Sequence, residues 1–262
     1  MMEILLPIIE MAEAANLNPE REGDYKKDGL LHCGRCHTAK QYRIDILGKT
    51  RIFPILCQCE GERKKREDAE RETRERWDEV FNLPIARLHD TTIKRLPEDA
   101  GINPNMAIAR RCIEKWEDMR AKNASLIFSG GVGCGKTYAA ACVVNALNER
   151  YIPALMLTTS TAIDKGLGFG TEYDFLEQLN AFELVVFDDF GAERTTEYAL
   201  QKLFDIINAR VNQQKPMILT TNYDRKRLES PENMEERRIF SRVLGACTVI
   251  DFKGGDLRLR GK

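Results

Sequence analysis

From about Leu83 onward, apolar blocks recur along the chain at regular spacing, and their lengths separate two kinds of element. Leu126-Ile127-Phe128, Ala154 to Thr158, Leu184 to Asp188, Met217 to Thr221 and Thr248 to Phe252 are short continuous apolar runs, the signature of strands buried on both faces. Thr137 to Arg150 carries a helical pattern instead. Leu200, Leu203, Phe204, Ile207 and Val211 recur at i, i+3, i+4, i+7 and i+11, one apolar face of a helix that opens after Thr195-Thr196. Strands alternating with helices predict the α/β class, with a parallel sheet flanked by helices.

Two earlier stretches break this rhythm. Glu60 to Glu79 mixes charges of both signs at helical spacing, as in Glu62/Arg66, Glu67/Arg71 and Glu72/Arg76, and predicts a solvated connector helix over 61–80. Near the start, Ile4, Leu5, Leu6, Ile8 and Ile9 are interrupted by Pro7 and flanked by Glu3 and Glu10, which fits neither a signal peptide nor a span. A cytoplasmic protein with no membrane segment is expected. Of the 262 residues, 43% are hydrophobic, enough for a real core, while 40 Lys+Arg against 41 Asp+Glu give a net charge of −1. That balance excludes a generally basic nucleic-acid coat and leaves only local DNA contacts.

Candidate chemistry begins where the first strand ends. Gly130-Gly131-Val132-Gly133-Cys134-Gly135-Lys136-Thr137 fits G-x-x-x-x-G-K-T in full. Glycines at this spacing let successive backbone N–H groups turn toward phosphate oxygens, and the following helix adds its N-terminal dipole. Lys136 reaches the terminal phosphates and Thr137 ligates Mg²⁺. A nucleotide site also needs an acid on the metal and a group that orients water. Asp188 closes the strand Leu184 to Asp188, where an α/β sheet places its ligands, and is expected on Mg²⁺ beside Thr137. Asp189 then polarises water, although Glu193 could supply the base instead. Asn222, which closes the strand Met217 to Thr221, is a candidate for contact with the γ-phosphate or that water.

The cysteines divide into two sets. Cys33, Cys36, Cys57 and Cys59 form C-x₂-C and C-x-C pairs 20 residues apart, and four thiolates can close a tetrahedral Zn²⁺ site. His37 or His32 in place of one thiol is the main variant. A module of about 60 residues with few large apolar side chains benefits from such a staple. Four protein ligands leave no open position, so the metal is expected to be structural. Cys112, Cys134, Cys142 and Cys247 lie in apolar or Gly-rich stretches and read as small hydrophobes.

The ordered set of motifs also resembles a known family. The phosphate loop, Asp188-Asp189-Phe190-Gly191-Ala192-Glu193, the helix running to Asn208-Ala209-Arg210, Leu219-Thr220-Thr221-Asn222, Arg238…Ser241-Arg242 and the ending Gly255-Asp256-Leu257-Arg258-Leu259-Arg260 together resemble the AAA+ ATPases of the bacterial helicase-loader family, DnaC-like and DnaI-like. The resemblance runs from roughly Phe81 to the C-terminus. It implies a P-loop AAA+ domain over 81–262 with a sensor 1 at Asn222, an arginine finger at Arg242 with Arg238 nearby, and a sensor 2 at Arg258. A finger acts on a neighbour's nucleotide, so the resemblance also implies a homo-oligomer. Asp189 stands where many AAA+ proteins carry Glu, and the lid after Asn222 is only 40 residues, which together fit a slow switch.

Loaders of this kind imply a function: an ATP-dependent protein that places a hexameric replicative helicase on single-stranded DNA. Zinc-containing N-terminal domains occur among them, so residues 1–60 are expected to be the partner-binding end. Lys165 and Phe169 sit where related ATPases line a single-strand channel. The alternative is an IstB-like ATPase that assists a transposase. Its ATPase domain is similar, but its N-terminus is usually helical and DNA-binding rather than zinc-binding.

Overall fold

A computed structural model describes residues 19–46, 48–83, 85, 86, 89, 104–165, 172–191 and 196–256. The chain forms two compact units, Met1–Thr73 and Arg74–Lys262. The division falls inside the mixed-charge helix α1 (Gln58–Phe81), slightly longer than the 61–80 expected. Its charges also find other partners than the expected ones: Glu67 takes Arg63 at 2.6 Å, Arg66 takes Glu70 at 3.9 Å, and Arg76 reaches out of the helix to Glu183 at 3.0 Å. Side chains on an exposed helix choose among acids three or four residues away at little cost, so spacing predicts the helix better than the partners.

The N-terminal unit is built from antiparallel hairpins. β1 (Tyr25–Lys27) pairs with β2 (Leu30–His32) in the register Tyr25↔His32 to Lys27↔Leu30. The two-residue loop Asp28-Gly29 has φ of 53° and 75°, the paired positive φ of a type I′ turn. β3 (Gln41–Ile46) pairs with β4 (Lys49–Pro54), from Gln41↔Pro54 to Ile46↔Lys49. Apolar burial is sparse: Leu31, Cys33 and Cys57 are buried, while Tyr42, Ile44 and Ile52 are exposed. In place of a large core stands the buried ion pair Lys40–Asp24. Lys40 also donates to Pro19 O, and Asp24 accepts from the N–H groups of Arg21 and Gly34. The hydrogen bond from Lys40 holds the Asp24 carboxyl down at about 2.

The C-terminal unit has the expected α/β architecture. β5 (Ser125–Ser129), β6 (Ala154–Thr158), β7 (Leu184–Phe190), β8 (Met217–Thr221) and β9 (Cys247–Asp251) form one five-stranded sheet in the order β6-β7-β8-β5-β9. Every pairing in it is parallel. Because strand side chains alternate, the sheet feeds two separate cores. One face carries Ile127, Leu155, Leu157, Val185, Phe187, Met217 and Leu219. It packs on α5 (Thr159–Lys165), α6 (Glu172–Ala181), α7 (Glu197–Asn212), α8 (Arg225–Glu229) and α9 (Met234–Ala246) through Ala162, Phe175, Leu203, Ile207, Leu228 and Ile239. The other face carries Phe128, Met156, Val186 and Ile218. It packs on α2 (Pro104–Glu114), α3 (Trp116–Ala121) and α4 (Lys136–Asn148) through Met106, Trp116, Val143 and Leu147. Each such side chain contributes about 1.5–3 kcal/mol of burial.

α7 starts at Thr196, whose hydroxyl accepts from Ala199 N, an N-cap that satisfies one of the helix's unpaired donors. Among the described residues, no helix is long and apolar enough to cross a membrane.

Candidate functional site

The phosphate loop joins β5 to α4 at the C-terminal edge of the sheet, as expected. Gly133 has φ 76°, and a Cβ there would collide with Asp256, so both the turn and the close approach require glycine. Lys136, 7% exposed, folds back over the loop: its Nζ donates to Gly130 O and Gly131 O at 2.8 Å and to Asn222 Oδ1 at 3.0 Å. The Cys134 thiol donates to Gly131 O at 3.0 Å and braces the same turn. Val132 at the tip is exposed.

Thr137 and Asp188 meet as expected. The Thr137 hydroxyl donates to Asp188 Oδ1 at 2.9 Å, and the Thr220 hydroxyl donates to the same oxygen. Asp188 is buried, and burial pushes its carboxyl above the ordinary range despite those two bonds. A buried carboxylate with two hydroxyls gathered on one oxygen suits a metal ion, and a hard divalent cation such as Mg²⁺ matches these oxygen donors. Asp189 is exposed and has φ 55°, at the point where the β7–β8 register shifts between Phe187 and Phe190. The bulge turns this residue off the ladder, and its N–H donates to Thr220 Oγ1 at 3.0 Å.

Arg242 and Arg238 both lie over α7. Arg242 Nη2 donates to Asn212 Oδ1 at 2.6 Å, and the Arg238 guanidinium sits 4.7 Å above the Phe204 ring. Arg258, Glu193, Phe169 and the side chain of Lys165 lie outside the described residues.

The second candidate centre belongs to the N-terminal unit. The Sγ atoms of Cys33, Cys36, Cys57 and Cys59 all lie within 4.8 Å of one another. Cys59 is 3.7 Å from Cys33 and 3.6 Å from Cys57, near the ~3.8 Å edge of a tetrahedron with Zn–S bonds of about 2.3 Å. Local backbone makes the cluster: His37 N donates to Cys33 O and Cys33 N to Thr38 O, a tight knuckle that needs φ 59° at His37. The Thr38 hydroxyl holds the Cys36 thiol down at about 5, while hydrogen bonding from Cys36 pushes Cys59 up to about 12. That split is what crowded thiols sharing protons show, and replacing the protons with a divalent metal relieves it. Neither His32 nor His37 belongs to this four-atom group. Cys112, Cys142 and Cys247 are buried, and burial raises their thiols to about 11, 11 and 12, in keeping with inert core residues.

The sequence assigns no role to several residues that shape the site. Thr220 gathers both Asp188 and the Asp189 backbone, and the Tyr223 hydroxyl donates to Gly191 O just beyond them at 3.0 Å. Arg210, fully buried, donates to Leu179 O, Phe182 O, Glu183 O and Pro216 O at the opposite end of β7. Its sequence signal is an arginine on the apolar stripe of α7, seven residues after Leu203.

With the phosphate loop, the acid and the strand-end asparagine assembled, comparison with known proteins decides the family. Residues 65–262 match the model of the IstB-like ATP binding proteins. The chain belongs to this family. The replicative helicase loader DnaC of Escherichia coli (strain K12) is 27% identical over 158 residues, 58% of this chain and 62% of DnaC. The chain thus spans about three fifths of that curated relative. A protein described as ATP-binding in an insertion sequence of Mycobacterium tuberculosis is 28% identical over 111 residues, 41% of this chain and 43% of that one. Among solved structures, the DnaC helicase loader has a TM-score of 0.49 at 22% identity, covering 64% of this chain and 97% of its own. DnaI has a TM-score of 0.49 at 21% identity, covering 67% and 94%. Membership in the IstB-like family makes the loop Gly130 to Thr137 part of an ATP-binding protein.

Proposed function

We propose that this IstB-like protein is an ATP-hydrolysing loader that delivers a hexameric replicative helicase to single-stranded DNA. The observation that carries the reading is the pairing, in one chain related to DnaC, of a complete phosphate site with a separate four-thiol unit. Residues 1–60 are the partner-binding end and 81–262 the ATPase, with the charged helix between them as connector.

In the ATPase, the backbone N–H groups of Gly130 to Thr137 receive the phosphates of ATP. Lys136 exchanges its present acceptors, Gly130 O, Gly131 O and Asn222 Oδ1, for the terminal phosphates. That exchange releases Asn222 as sensor 1. Thr137 and Asp188 would hold Mg²⁺, which supplies charge neutralisation at the phosphates. Asp189, on its outward bulge, orients water, with Glu193 as the other candidate base. Arg242 leaves Asn212 to act as finger on a neighbouring copy's nucleotide, and Arg258 serves as sensor 2. Hydrolysis thus depends on a homo-oligomer. In the N-terminal unit, Cys33, Cys36, Cys57 and Cys59 would hold Zn²⁺, which crosslinks the hairpins without taking part in chemistry.

Co-purification with the host's replicative helicase in the presence of ATP tests the reading. A stable complex, lost on deletion of residues 1–60, is expected. Arg242→Ala should retain ATP binding and lose hydrolysis by about 10³-fold or more; full activity in that variant removes the finger assignment. A complex with a transposase and none with the helicase would establish instead the second reading, an ATPase that assists transposition. That reading is favoured by the family model and the insertion-sequence relative.

A further inference from the structure

α2 lies outside every motif, yet its first turn reaches the phosphate loop. Asn105, 5% exposed, donates from Nδ2 to Cys134 O at 3.0 Å and to Lys253 O at 2.8 Å, and accepts at Oδ1 from Lys253 N at 3.2 Å. Two carbonyls on one side and an N–H on the other fix the orientation of the amide. A single buried side chain therefore ties together residues 105, 134 and 253. The segment it clips also presses on the loop: a Cβ on Gly130 would meet the Phe252 carbonyl, and a Cβ on Gly133 would meet Asp256.

The bond to Cys134 O has a directional consequence. A trans peptide points its C=O and N–H in opposite directions, so turning the Cys134 carbonyl toward Asn105 aims the Gly135 N–H the other way. In a phosphate loop the N–H groups are the binding groups, and they cradle phosphates only when their peptide planes are set beforehand. Asn105 sets one of those planes. Through the same amide, it also connects that plane to the backbone of Lys253.

We propose that Asn105 is a positioning residue for the nucleotide phosphates: it presents the Gly135 N–H to them and transmits their arrival to the segment Phe252 to Asp256. The proposal rests on the reading that Gly130 to Thr137 binds ATP. An aliphatic residue could fill the volume of Asn105 but not perform either task.

The experiment uses the full chain and measures affinity for Mg-ADP and Mg-ATP by calorimetry, for the unaltered protein, Asn105→Ala and Lys136→Ala. Asn105→Ala should weaken both nucleotides alike, by about tenfold, the worth of one or two buried hydrogen bonds. Hydrogen exchange supplies the readout that a merely structural residue would not move. In the unaltered protein, Mg-ADP should slow exchange at the Lys253 amide, and Asn105→Ala should abolish that slowing. Affinity within twofold of the unaltered protein in a folded Asn105→Ala overturns the proposal and leaves the ATP site standing. Equal nucleotide affinity with and without Lys136→Ala removes the ATP-site reading, and the proposal with it. Where Asn105→Ala does not fold, the unaltered protein decides: Lys253 exchange indifferent to bound Mg-ADP refutes the coupling.

Discussion

The two units of this protein hold themselves together by opposite means. The described part of residues 74–262 folds around a sheet with an apolar core on each face, and most of its buried side chains are hydrophobic. The described part of residues 1–73 has short hairpins, exposed Tyr42, Ile44 and Ile52, one buried ion pair and a cluster of four thiols. The difference shows why a small module gathers ligands where a larger one gathers leucines. With little apolar surface to remove from water, the module's hairpins are too short to persist without a crosslink.

The contrast breaks most sharply at the four thiols. With the four thiols holding zinc as proposed, chelation, or Cys57→Ser, should unfold the N-terminal unit, because structural zinc is worth on the order of 10 kcal/mol to such folds. The C-terminal unit should keep its own melting transition, seen by calorimetry as the loss of one of two peaks; a single shared transition would erase the distinction. Conversely, Phe187→Ala should cost the C-terminal unit about 3–5 kcal/mol by leaving a cavity under α7, with the metal content of the N-terminal unit unchanged.

A smaller effect concerns Asp188, whose carboxyl is raised by burial. A raised folded value favours folding below the ordinary carboxylate range, and that contribution is lost as pH rises through the raised value. The ionised group therefore opposes folding at neutral pH, so Asp188→Asn should raise the melting temperature of the nucleotide-free protein at pH 7. The gain should vanish as the pH falls toward about 4, the ordinary carboxylate value, a trend that thermal melts across pH will check. Least of all, Arg66→Ala on the exposed flank of α1 should change stability by less than about 0.5 kcal/mol in denaturant titrations, since its pair with Glu70 is solvent-screened at 3.9 Å.

Much of the C-terminal unit can be read from the chain because its strands are buried on both faces. The run Ala154 to Thr158 and the run Met217 to Thr221 coincide with β6 and β8 at both ends. The phosphate loop, Asp188 and Asn222 follow from spacing. The hairpins of the N-terminal unit leave a weaker mark: β1 is three exposed residues, and the alternation Tyr42, Ile44, Ile46 along β3 covers no core, since Tyr42 and Ile44 are exposed. Helix α2 and its Asn105 are not legible in the sequence because their role depends on Cys134 and Lys253, distant positions that only the folded backbone brings together. The partners of the α1 charges escape for another reason: Arg76 pairs with Glu183, 107 residues away.

Arg210 bears on how the C-terminal unit is assembled. Its guanidinium draws on carbonyls from the end of α6, the approach to β7 and the approach to β8, while its own backbone lies in α7. If any one of these pieces comes loose, a charge is left in an apolar interior with unmet donors, a state costing several kcal/mol. Partial unfolding is thereby penalised more steeply than apolar packing alone would make it. Residues 172–221 should accordingly open to solvent together, with the described amides of that stretch exchanging at one common rate.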